Sequence, residues 1–89
     1  MASDSYTLRF KNSAAKEFRG LSRELRQRVG EAMDRLSLNP RPEGMVKLQG
    51  SDNLYRIRVG DYRVVYTIDD KEKVILIMRV RHRRDVYQN

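Results

Sequence analysis

Arginine alternates with apolar residues in the stretch Leu54-Tyr55-Arg56-Ile57-Arg58-Val59, and Arg63 follows just beyond a Gly60-Asp61 pair. A guanidinium carries five N–H donors in a planar fork and stays protonated at any accessible pH, so such a cluster suits an anion, phosphate above all. A second cluster closes the chain: Arg79-Val80-Arg81-His82-Arg83-Arg84-Asp85-Val86-Tyr87. It adds four arginines, the only histidine, and an aromatic ring able to stack on a base. Lys47 precedes the first cluster and is a further candidate for contact with such an anion, or simply a surface lysine.

The spacing places these groups. With Gly60-Asp61 as a two-residue hairpin loop of the kind that favours glycine first, Val59 pairs with Tyr62 and Arg58 sits directly opposite Arg63. Arg56 then lies on the same face, one step diagonal. Like charges facing each other across strands destabilise a sheet. An anion between them would relieve the repulsion; the alternative is a solvated face with the arginines fanned apart or paired to helix carboxylates.

The elements needed to hold that hairpin are visible on either side. Tyr6-Thr7-Leu8-Arg9-Phe10 alternates as a half-buried strand does. Asn12 and Ser13 are N-cap candidates for a short helix with Ala14, Ala15 and Phe18 inward, ending near Gly20. Ser22 opens a second helix whose apolar stripe is Leu25, Val29, Ala32/Met33 and Leu36, and Asn39-Pro40-Arg41-Pro42 stops it. Tyr62, Val64, Tyr66 and Ile68 share the core parity of Tyr55, Ile57 and Val59. Asp69-Asp70-Lys71 makes the next turn, and Val74-Ile75-Leu76-Ile77-Met78 is apolar on both faces, as a covered central strand would be. The expected fold is α+β: an N-terminal strand and a helical hairpin packed on a small, mostly antiparallel four-stranded sheet, with the arginines on its other, open face. Residues 1–89 read as a single domain.

Composition narrows the class. The 89 residues hold 19 Lys+Arg against 12 Asp+Glu, a net charge of +7, spread over both halves of the chain. That balance suits a polyanionic partner, and 39% apolar content argues for a folded core. Without cysteine and with one histidine, disulfide frameworks, iron–sulfur clusters and Cys- or His-rich metal centres are excluded, so no metal or cofactor is expected. No apolar run is long enough to span a bilayer, and the opening MASDSYTLRF lacks the apolar region of a signal peptide; a cytoplasmic protein is expected.

Taken together, Tyr55-Arg56-Ile57-Arg58, Asp61-Tyr62-Arg63-Val64-Val65-Tyr66 and His82-Arg83-Arg84-Asp85-Val86-Tyr87 resemble the RelE/ParE superfamily of type II toxin–antitoxin toxins. The resemblance runs from Tyr6 to Tyr87 and is strongest to the RelE branch, whose members are ribosome-dependent mRNA endoribonucleases. It implies a metal-independent cut in the ribosomal A site, made by the RNA's own 2′-OH and inhibiting translation. Arg56 and Arg58 match two basic positions that are often lysine in relatives, and Arg63 matches the arginine that grips the scissile phosphate. Arg83 matches the arginine that assists the leaving group, with Arg81 the alternative. Tyr87 matches the aromatic that orients the target nucleotide, and His82 has counterparts that some relatives use chemically. An arginine does not accept a proton, so the general base implied is His82, Tyr87 or a group outside the chain. The implied partners are a cognate antitoxin, the 70S ribosome with its mRNA, and operator DNA only as a toxin–antitoxin complex; no membrane is implied. A ParE-like toxin that binds gyrase, or a non-catalytic basic RNA-binding or repressor module, are the alternative readings.

Overall fold

In the computed structural model, residues 5–50 and 53–86 are described, and their order follows the periodicities of the chain. Strand β1 spans Thr7–Phe10, helix α1 Asn12–Arg19 and helix α2 Arg23–Leu38. Strands β2 (Val46–Lys47), β3 (Leu54–Val59), β4 (Tyr62–Asp69) and β5 (Val74–His82) follow, and a single turn of helix, α3, covers Arg83–Val86. The fold is α+β as expected, but the sheet has five strands, not four, in the order β1-β5-β4-β3-β2. The addition is β2. Its two residues, opposite Arg56 and Tyr55, are too few to display an alternation in sequence. β1 runs parallel to β5, and every other pairing is antiparallel.

Both helices lie on one face of the sheet. Ala14, Val29, Ala32, Met33 and Leu36 from the helices meet Ile57, Val64, Tyr66, Ile68, Ile75, Ile77 and Val80 from the strands in one buried cluster. Ser22 caps α2, its Oγ accepting the Leu25 N–H at 3.2 Å. For α1 the expected cap is displaced: Lys11 occupies the N-cap position without a side-chain bond, and Asn12 is already helical. The Lys11 N–H instead donates to the Ile77 carbonyl, so strand pairing fixes where that helix starts. Tyr66, fully buried, donates its hydroxyl to the Pro40 carbonyl at 2.8 Å and so ties the α2 exit to the middle of the sheet. Burial pushes the Tyr66 phenol up to about 12.

Two features of the strands set the site. Gly60, at φ +60°, makes the β3–β4 turn, and Val59 pairs with Tyr62 and Arg58 with Arg63. Strand β5 does not stop at Met78; it continues through Arg79, Val80, Arg81 and His82. Its register against β4 slips at one point: Tyr66 faces Ile77, whereas Val65 faces Arg79, so Met78 is the extra residue of a bulge. Among the described residues, no helix is long and apolar enough to cross a membrane.

Candidate nucleic-acid interface

The bulge decides which way the second arginine cluster points. Before Met78, Ile75 and Ile77 face the helices; after it, Val80 does, and Arg79 and Arg81 turn to the other face. The result is a row across three adjacent strands, Arg58–Arg63–Arg81, with Arg56–Val65–Arg79 as the row beside it. The pairing of Arg58 with Arg63 is as read from the hairpin. The open face expected for all of the arginines is not: Arg63 is only 3% exposed. β4 is the middle strand of five, so Arg63 has a long basic side chain on either side, while Arg58 near the β2 edge stays exposed.

Other candidates are placed elsewhere. Lys47 pairs with Tyr55, which puts it on the opposite face from Arg56 and Arg58 and outside the row. His82 pairs with Tyr62, also on the helix-side parity, and the two rings meet edge-on with centroids 5.2 Å apart. The His82 Nδ1 accepts the Arg84 N–H at 3.1 Å, so the neutral ring carries its proton on Nε2. Arg83 begins α3, exposed, its backbone N–H donating to the Asp61 carbonyl at 2.7 Å. Arg81, rather than Arg83, is the C-terminal arginine that the register sets beside Arg63. Tyr87 lies outside the described residues.

One member of the site has no counterpart among the residues singled out by sequence. Glu17, on α1, lies where β1 has ended and β5 continues with only β4 beside it. Its Oε1 accepts the Val80 N–H at 2.9 Å, and its Oε2 takes Arg79 Nη1 at 3.2 Å and Arg81 Nε at 3.1 Å. The carboxylate thus caps an open strand edge and offsets part of the arginine charge. Arg81 and Glu17 also share a shallow cleft of about 270 Å³ with Lys16, Tyr62 and His82. The sequence reading left open that arginines pair with helix carboxylates, and Glu17 falls one position from the apolar Phe18, at the margin of the helix's inner face.

The other end of the face offers an acceptor site. Arg56 and Arg58, with Gly44 and Val46, line a cleft of about 210 Å³. The Arg56 Nε itself is buried, with no hydrogen-bond partner among the described residues. A buried donor left unmet costs about 1–3 kcal/mol.

Fold and sequence together define a class, the small toxins of type II toxin–antitoxin systems. The chain belongs to the ParE toxin family of type II toxin–antitoxin systems, described for parDE, whose family model matches residues 6–87. Its relatives are RelE-type. Toxin RelG of Mycobacterium tuberculosis is 33% identical over 84 residues, covering 93% of this chain and 97% of that one. The mRNA interferase toxin RelE of Escherichia coli K12 is 32% identical over 87 residues, covering 93% and 90%. Among solved structures, the archaeal RelE–RelB complex of Pyrococcus horikoshii matches with a TM-score of 0.78 at 33% identity, over 89% of this chain and 96% of that chain.

Proposed function

We propose that this RelE-type toxin is an endoribonuclease that cuts mRNA on the ribosome, with the Arg58–Arg63–Arg81 row as its phosphate site. The observation that carries the reading is the row itself, three arginines directly opposite one another on adjacent strands. Like charges directly opposite on adjacent strands repel, Glu17 offsets that of Arg81, and a bound phosphodiester would be drawn to the exposed remainder at Arg58. The relative named an mRNA interferase supports the reaction class.

In the step proposed, the ribose 2′-oxygen forms a bond to the adjacent phosphorus and the bond to the 5′-oxygen breaks. The products are a 2′,3′-cyclic phosphate and a 5′-hydroxyl. The 2′-oxygen gives up a proton and the leaving oxygen gains one; no metal is needed for either transfer. Arg56 and Arg58 stabilise the charge that builds on the non-bridging oxygens, Arg63 adds to the field from its buried position between Arg58 and Arg81, and Arg81 meets the leaving oxygen. Arg83, at the start of α3, serves the flanking backbone. Arginines remain protonated, and His82 faces the other side with Nδ1 engaged, so the proton acceptor is sought at Tyr87 or on the ribosome.

The cognate partner proposed is an antitoxin, as complexes of relatives with RelB suggest, and its proposed seat is the basic arginine face. Adding the purified protein to a cell-free translation reaction and mapping mRNA ends by primer extension tests the nuclease. New 5′ ends at ribosome-occupied codons are expected, lost without ribosomes and with Arg58→Ala, which alters an exposed side chain. A second reading, a gyrase-binding toxin, is favoured by the parDE description of the family. Intact mRNA together with inhibited supercoiling would establish it in place of the nuclease.

A further inference from the structure

We propose that Glu17 is a positioning residue of the cleavage site, acting through Arg81; the inference rests on the nuclease reading above. The structural problem it answers is specific. The bulge at Met78 brings Arg79 and Arg81 onto the arginine face, yet this stretch of β5 runs without its neighbour, because pairing with β1 ends at Phe10 and Ile77. The Val80 N–H points out of that unpaired edge, and like charge on Arg58 and Arg63 drives Arg81 away from the row.

Glu17 answers both needs with one carboxylate. Oε1 holds the Val80 backbone at 2.9 Å and thereby the strand that carries Arg81. Oε2 forms an ion pair with Arg81, 3.1 Å from its Nε, and both terminal Nη groups are without a hydrogen bond among the described residues. A guanidinium held by charge on its Nε side keeps its two Nη groups available as a pair, which suits two oxygens of a phosphate. The side chain of Glu17 is only 22% exposed, and α1 carries it against β5, so the anchor is rigid at its base. Because its charge opposes that of the arginines, Glu17 weakens the hold on RNA while it orients the chemistry.

That opposition makes the role testable. Glu17→Gln keeps an acceptor for the Val80 N–H and removes the charge that fixes Arg81. The expected result is RNA binding equal to or tighter than wild type, measured on ribosomes programmed with mRNA blocked at the scissile 2′-position. Single-turnover cleavage of the unblocked mRNA should fall by between about tenfold and a hundredfold. In an Arg81→Ala background the same substitution should add little, since the effect travels through that arginine. A merely structural role would lower binding and cleavage together and would act equally in both backgrounds. Unchanged or faster cleavage by Glu17→Gln, with the wild type active, overturns the inference alone; an inactive wild type removes the nuclease reading and this inference with it.

Discussion

Arg58 and Arg81 flank Arg63 in one row, but the three differ in exposure, and that difference decides what each substitution reports. Arg58 is exposed and makes no salt bridge among the described residues, so Arg58→Ala is expected to leave the melting temperature nearly unchanged. It should lower ribosome-dependent cleavage by about 10²–10³, the usual loss for one donor aimed at a transition-state oxyanion. Arg81→Ala is expected to cost more activity than Arg83→Ala, because only the first faces Arg63; the ranking of single-turnover rates checks this. Arg63→Ala removes a buried side chain as well as a charge, so its activity loss is interpretable only beside its thermal midpoint. Asp70 offers a different test. It accepts a fork from Arg41 at 2.8 and 3.2 Å and the Tyr6 hydroxyl at 2.6 Å. The Arg41 bond first, and then that of Tyr6, hold its carboxyl at about 2 against an ordinary 3.8. A carboxyl depressed on folding stabilises the native state above its unfolded value, and that contribution is lost as pH falls through the folded one. The wild type should therefore lose its advantage in thermal midpoint over Asp70→Asn between about pH 4 and pH 2, with a gap that narrows in high salt because the pair is half-exposed.

At the scale of elements, the β3–β4 hairpin is the part most legible in the sequence, and the reason is local. Its alternation has period 2, and Gly60 occupies the one turn position that requires a positive φ. Replacing Gly60 by Ala is expected to destabilise the fold by about 1 kcal/mol, since an L side chain is strained at φ +60°; chemical denaturation measures it. The second strand pair is less legible because Val74–Met78 is apolar at every position, so nothing in it shows where the parity changes. The bulge that moves Arg79 and Arg81 onto the functional face is a property of pairing with β4, not of β5 alone. The same holds for β2, which exists only as a partner of β3, and for Glu17, whose bond to Val80 joins residues 63 positions apart. Neighbourhood in sequence groups His82 and Lys47 with the arginines, and strand register separates them. Local pattern reveals which residues share a strand; which strands share a face follows from contacts distant in the chain.

For the whole molecule, a net charge of +7 predisposes the chain to bind any polyanion, so affinity alone does not distinguish a specific site from a diffuse field. The distribution of charge does. Basic residues on α1 and α2, such as Arg19 and Arg23, lie exposed on the helical side, while the arginine row lies across the sheet on the other. If RNA is gripped on the sheet face, the arginines there displace counterions condensed on its phosphates, and the basic residues of the helical face displace none. For each phosphate that the protein no longer neutralises, the slope of log affinity against log salt falls by about 0.7 on a single strand. Arg58→Ala is expected to reduce that slope by about this amount, and Arg23→Ala to leave it unchanged while lowering affinity slightly through the overall field. Fluorescence titrations of a labelled RNA oligonucleotide across a range of salt concentrations measure both. Equal slope changes for the two variants would mean that the helical face binds RNA as well, and the arginine row would lose its claim to be the site that positions the phosphate.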